Sequence, residues 1–250
     1  EANSKGLSRT FNNEVRYRIP RNSFKNCLIN SAQQFIVKRA KKTEVVAGFP
    51  WFGRWGRDTF IALSGLTLEL DDPVTCKAVI DTMLSELNGP LFPNVGEGSE
   101  TALNSVDAPL WFFKALQDYA VYTGTIKDIW KEYGTKMKMI LDGFMAGTSY
   151  HIKMDDDGLI FAGEKGVALT WMDAVVNGIP VTPRTGKPVE INALWYNALR
   201  FSSETARLGG DEAYASRLDL VISRVETSFI HTFWNKERNC LYDYVNGNYK

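Results

Sequence analysis

Amphipathic helical segments of this 250-residue chain are joined by connectors that alternate between long and short. That alternation limits the fold more than any single motif does. The long connectors, 43–57, 89–106 and 147–187, are rich in Gly, Pro, Asn and Trp. The short ones lie near 71–72, 124–126 and 209–210. Helix hairpins joined in this way predict paired inner and outer helices in a toroid, with the long connectors gathered at one end. Loops placed by a rigid scaffold are where binding and catalysis concentrate, and so long a connector as 147–187 is usually functional.

The helical readings come from periodicity. Phe24, Cys27, Leu28, Phe35 and Ile36 keep a 3.6-residue period and predict a first helix. A second runs from about Thr59 to Leu70. A third opens at Asp72-Pro73, a cap followed by proline at the first helical position, carries Val79, Met83 and Leu87, and stops at Asn88-Gly89-Pro90. A fourth runs from Asp107 to Thr123-Gly124 and a fifth over about 127–146. A sixth places Ile191, Leu194, Trp195, Ala198, Leu199 and Ser202 on one stripe, and a seventh starts at Asp211 and carries Tyr214 to Phe229. The chain therefore reads as all-α, with a lead-in at 1–21 and one partial helical domain over 22–250. Short strands are expected inside the long loops, where Tyr150-His-Ile-Lys and Leu159-Ile-Phe flank the turn Asp155-Asp-Asp-Gly158.

Composition narrows the chemistry. Lys plus Arg equals Asp plus Glu at 29 each, so nothing electrostatic favours a nucleic acid or an anionic membrane as partner. A neutral ligand such as a sugar is the easier fit. Only two histidines are present, His151 and His231, and no paired Cys/His ligands, which argues against zinc or another metal site. Neither a nucleophile elbow nor a phosphate-cradling glycine loop occurs. Asp155–Gly158 resembles the start of a calcium loop but lacks the later glutamate, so it reads as a turn. Cys27, Cys76 and Cys240 are widely spaced and odd in number, the pattern of free thiols in a reducing compartment. No apolar run approaches the ~20 residues of a membrane span, and the N-terminus lacks a signal peptide's apolar stretch. Elimination leaves carboxylates among aromatic residues, the chemistry of glycoside cleavage.

Four constellations could perform it. Gly48-Phe-Pro-Trp51-Phe-Gly53-Arg54-Trp55-Gly56-Arg57-Asp58 packs glycines, tryptophans, arginines and an aspartate just before a helix. Arginine beside carboxylate suits adjacent sugar hydroxyls, although Asp58 could equally cap the helix. In Leu169-Thr170-Trp171-Met172-Asp173-Ala174 a carboxyl walled by Trp and Met would be desolvated, which favours the protonated form a general acid needs; a cap or turn aspartate is the alternative. In Gly186-Lys-Pro-Val-Glu190-Ile-Asn192 the glutamate sits in a first helical turn, where the helix dipole favours it whatever its function. In Asn104-Ser-Val-Asp107-Ala-Pro109-Leu-Trp111-Phe112, Asp107 reads as a cap or a sugar contact.

Taken together, GFPWFGRWGRD (48–58), NSVDAPLWF (104–112), TWMDA (170–174) and TGKPVEINALWYNAL (185–199) resemble the C-terminal amylo-α-1,6-glucosidase domain of glycogen debranching enzymes. The resemblance implies an (α/α)6 toroid of the six-hairpin type, present here only in part, with about seven helices and an exposed apolar edge. It implies hydrolysis of the α-1,6-linked glucose stub of glycogen or limit dextrin, with inversion and no cofactor, in the cytoplasm. Asp173 matches the family's proposed general acid. By likeness to the W-x-R-D segment of glucoamylases, Trp55, Arg57 and Asp58 should line the subsite of the released glucose, with Trp51, Asp107, Trp171, Glu190 and Asn192 as further candidates. The family's general base lies beyond Lys250, so the expected partners are a branched α-glucan and the C-terminal remainder of the same protein. A glucoamylase, trehalase or disaccharide phosphorylase of the same fold, or a glycan-binding domain without turnover, remains open.

Overall fold

The computed structural model describes residues 20–48, 51–95 and 102–247. Among them are seven α-helices: α1 (Phe24–Gln33), α2 (Gly56–Thr67), α3 (Pro73–Ser85), α4 (Ala108–Thr123), α5 (Ile126–Ala146), α6 (Val189–Leu208) and α7 (Glu212–Phe233). The fold is all-α with a few short strands. The lead-in at 1–21 lies outside the described residues apart from Pro20 and Arg21.

The helix ends follow local chemistry. Asp72 accepts the Thr75 amide at 2.9 Å and Pro73 opens α3. Asp211 caps α7 by accepting from Tyr214 N. Gly124 ends α4 in the left-handed region, φ 71°, where a Cβ is unfavourable.

Periodicity misled at the first helix. It stops at Gln33, and Ile36–Arg39 begins a hairpin (β1) with Lys42–Val45 (β2), in register Ile36↔Val45 to Arg39↔Lys42. The β-branched pair Ile36-Val37 suits a strand better than a helix. Phe24 and Leu28, expected to face a core, are exposed. The second helix starts at Gly56, three residues early, and continues beyond Thr67 as a 3₁₀ turn over Leu68–Leu70.

Packing has two layers. α2 lies against α4, and α4 against α6, in one continuous layer. α3 packs on α2 and α4, α5 on α4 and more closely on α6, and α7 on α6, with the α6–α7 hairpin the most extensive. Phe60, Phe92, Phe112 and Phe113 form a chain of tilted rings with centroids 4.9 to 5.8 Å apart. All four are essentially inaccessible to water, and full burial of such a side chain is worth about 1.5–3 kcal/mol. Phe144 of α5 stacks on Trp195 of α6 with 6.0 Å between centroids. Trp195 Nε1 also donates to Gly158 O at 3.1 Å, tying the core to the longest connector.

That connector carries the expected strands and turn, and a second hairpin not anticipated from the sequence. Lys153–Met154 (β3) pairs with Ile160–Phe161 (β4). The turn between them closes through Gly158 N to Asp155 O, with Asp155 and Asp157 both on Lys187. Val175–Val176 (β5) pairs with Ile179–Pro180 (β6) across Asn177-Gly178, both at positive φ, the backbone a two-residue hairpin of type I′ requires. Lys187–Pro188 (β7) then pairs with Tyr244–Val245 (β8), so the last described segment is laid against the start of α6.

Candidate active site

The layering puts the starts of α2, α4 and α6 at one end of the molecule, and the long connectors run into those starts. Trp55 precedes α2 in extended backbone, bridged to Val95. The amide of Gly56 donates to Asn94 O at 2.9 Å, and a Cβ on Gly56 would stand 2.5 Å from Pro93 O. Only glycine permits that approach, and it aims the next residue, Arg57, inward.

Arg57 is 6 % exposed. Its Nε donates to Asp107 Oδ2 at 2.6 Å, Nη1 to Asp173 Oδ2 at 3.0 Å and Nη2 to Thr170 O at 2.8 Å. Burial alone would pull the guanidinium down, but the two carboxylates more than reverse it and hold Arg57 above its ordinary value. Three of the four sequence constellations thus meet on one side chain.

Asp107 is 2 % exposed and does not cap α4 with its side chain. Ser105 Oγ receives the Ala108 amide instead and donates to Asp107 Oδ1. Asp107 is thus buried with its carboxylate engaged by Arg57 and Ser105. The other motif arginine, Arg54, binds Glu44 and Glu86, with Lys42 also on Glu86. That cluster clamps the motif to β2 and α3. Burial raises the Glu86 carboxyl, yet Arg54 and Lys42 prevail and hold it below its usual value.

A second buried hub was not foreseen. Arg184, 3 % exposed, grips Glu190 with both Nη atoms at 2.5 and 2.7 Å and Asp243 at 2.8 and 2.9 Å, and donates to Thr170 Oγ1 at 3.1 Å. Glu190 and Asp243 remain partly open to solvent, at 33 % and 64 % of their side chains. Thr170 joins the hubs, its carbonyl on Arg57 and its hydroxyl on Arg184.

The remaining candidates divide. Asp173 is open to solvent, 36 % for its side chain. Trp171 is 56 % exposed, so it does not wall Asp173 off from water as its sequence neighbourhood suggested. Asp58 is exposed in the first turn of α2 and is not its cap. Trp51 is 85 % exposed, and Trp55 is half-buried with its ring edge-on to Phe52. Asn192 leaves the site. It is fully buried, its Oδ1 receives Ile160 N, and its Nδ2 donates to Ile160 O and Pro188 O. These bonds close the backbone of β4.

Two hollows lie elsewhere, about 1170 Å³ beside α1 and the end of α2, and about 820 Å³ between α6 and α7. None of the candidate residues lines either one. Among the described residues no group of three His, Cys, Asp or Glu side chains is placed to hold a metal ion, and no helix is long and apolar enough to cross a membrane.

Comparison with known proteins places the chain in a family. The chain is 28% identical over 243 residues to a glycogen debranching enzyme of Saccharomyces cerevisiae, a match covering 70% of this chain and 16% of that protein. The family model described as Amylo-alpha-1,6-glucosidase matches residues 30–250. With the match running from the end of α1 through every long connector, the chain belongs to the amylo-alpha-1,6-glucosidase family.

Proposed function

We propose that this chain carries the acid half of a glycoside hydrolase site that releases glucose from α-1,6 branch points of glycogen or limit dextrin. The observation that supports it is the contact of Arg57 with Asp173 at 3.0 Å, which unites the two motifs most suited to the chemistry. Asp173 protonates the glycosidic oxygen as the bond to the leaving sugar breaks. Arg57 sets the position of Asp173, while Trp55 and Asp58 hold the terminal glucose. Trp51, Trp171 and Glu190 are open to solvent on the same end and contact the rest of the glucan.

Inversion requires a second carboxylate ~6.5–9.5 Å from the acid, with room for water between them. We assign that base to the part of the whole protein outside these residues, since the chain spans only 16% of its yeast relative. The two helical layers then form part of an (α/α)6 toroid. The three unpaired cysteines suit a cytoplasmic setting.

The test is free glucose release by the full-length protein from a limit dextrin bearing single α-1,6-linked glucose, run beside maltose, trehalose and a disaccharide with phosphate. Turnover confined to the dextrin, with β-glucose formed first by NMR, is expected. Preference for another of these substrates, or saccharide binding without turnover, would contradict the proposal.

A further inference from the structure

The segment that presents Asp173 has little core to hold it. Ala168, Leu169 and Thr170 are buried, but Trp171, Val175, Val176 and Ile179 are exposed. Its position is set by polar contacts instead. Leu169 O accepts Val106 N at 3.0 Å, and Thr170 is gripped from two sides, by Arg57 at its carbonyl and by Arg184 at its hydroxyl.

Arg184 is built for such a task. It lies in a connector, not on a helix, yet it is almost wholly buried. Its backbone φ of 32° is unusual for a residue with a side chain, and such strain persists only where the surroundings over-determine it. Its donors reach Thr170 Oγ1, both Glu190 oxygens, both Asp243 carboxylate oxygens and Asp243 O. They tie together the connector, the first turn of α6 and the segment leading into β8. A guanidinium has five N–H groups, and these contacts engage all three of its nitrogens.

We propose that Arg184 is a positioning residue for the reaction, holding Asp173 in register with Arg57 through the hydroxyl of Thr170. The inference rests on Asp173 being the general acid. Only Trp171 and Met172 separate Thr170 from Asp173, so movement of the first displaces the second, and a displacement of about 1 Å at a reacting group can cost 10²-fold in rate.

The experiment uses the full-length protein and the branched dextrin, with Thr170→Val, Thr170→Ser, Arg184→Lys and Asp173→Asn. Thr170→Val removes the hydroxyl and leaves the carbonyl on Arg57. It should lower kcat about 10- to 100-fold while KM stays within about twofold. Arg184→Lys, which keeps the charge and loses the fork, should do the same, and Thr170→Ser should restore turnover. Wild-type kcat in a folded Thr170→Val variant would overturn the proposal, as would a loss that Thr170→Ser fails to rescue. Should Thr170→Val not fold, the same kcat and KM readings on Arg184→Lys and Thr170→Ser decide. Full activity of Asp173→Asn would instead remove the underlying assignment, whereas an inactive Asp173→Asn beside a fully active Thr170→Val would defeat the positioning role alone.

Discussion

Asp107 stands at the N-cap position, immediately before α4, yet turns its carboxylate away from that helix and onto Arg57, 2.6 Å from the guanidinium. Both side chains are more than nine-tenths buried. A pair in that state is costly to break, because whichever partner remains is a charge without compensation.

Arg57→Ala should therefore destabilise the fold by about 3–5 kcal/mol, the range for removing one member of a buried pair. Chemical denaturation of wild type and variant gives the measurement. A loss below about 1 kcal/mol, the scale of an exposed pair, would mean that the Arg57–Asp107 contact does not carry the burial described here.

Asn192 supports the backbone, not the substrate. Asn192→Ala leaves Ile160 N and O without their partners in a buried setting, at a cost of about 1–3 kcal/mol for each group left unsatisfied. The variant of the full-length protein should show a lowered Tm and an unchanged KM for the dextrin. A raised KM at wild-type stability would return Asn192 to the binding surface.

Acid should loosen the clamp around Arg54. The Glu86 carboxyl is partly buried, which raises it, but Arg54 and Lys42 outweigh burial and hold it below its ordinary value. A carboxyl depressed in the folded state stabilises the fold above its unfolded pKa, and that contribution is lost as the pH falls through the folded value. Stability should therefore decline on acidification below the usual carboxylate range of about 4.3. Glu86→Gln should flatten that part of the profile, as followed by urea unfolding at a series of pH values. An identical slope in the two proteins would exclude Glu86 as a source of it.

Much of this was legible in the residues. Asp72-Pro73 and Asp211 mark helix starts because a short side chain meets a free backbone amide a few positions later, a purely local event. The gathering of Arg57, Asp107 and Asp173 followed from connector lengths and motif content, with no local signal for the contacts themselves. Arg184 was invisible because it sits between Pro183 and Thr185 in what reads as a turn, and its partner Asp243 is 59 positions away. The hairpin at 36–45 was missed because Phe35 and Ile36 continue the helical period of Phe24 and Leu28 by coincidence. Burial decided that case, and periodicity does not report burial. Trp171 and Met172 suggested a dry wall around Asp173, but neighbours in a connector point where the hairpin Val175–Pro180 takes them, and Trp171 points into solvent.

The role of Asp173 is tested most directly by its Asn variant in the full-length protein, assayed on two substrates. The branched dextrin needs its leaving oxygen protonated, whereas α-glucosyl fluoride has a leaving group that departs without that help. Loss of the acid should lower kcat on the dextrin by about 10²–10⁴-fold and leave turnover of the fluoride close to wild type. An equal loss on both substrates, or normal turnover of the dextrin, would contradict the assignment.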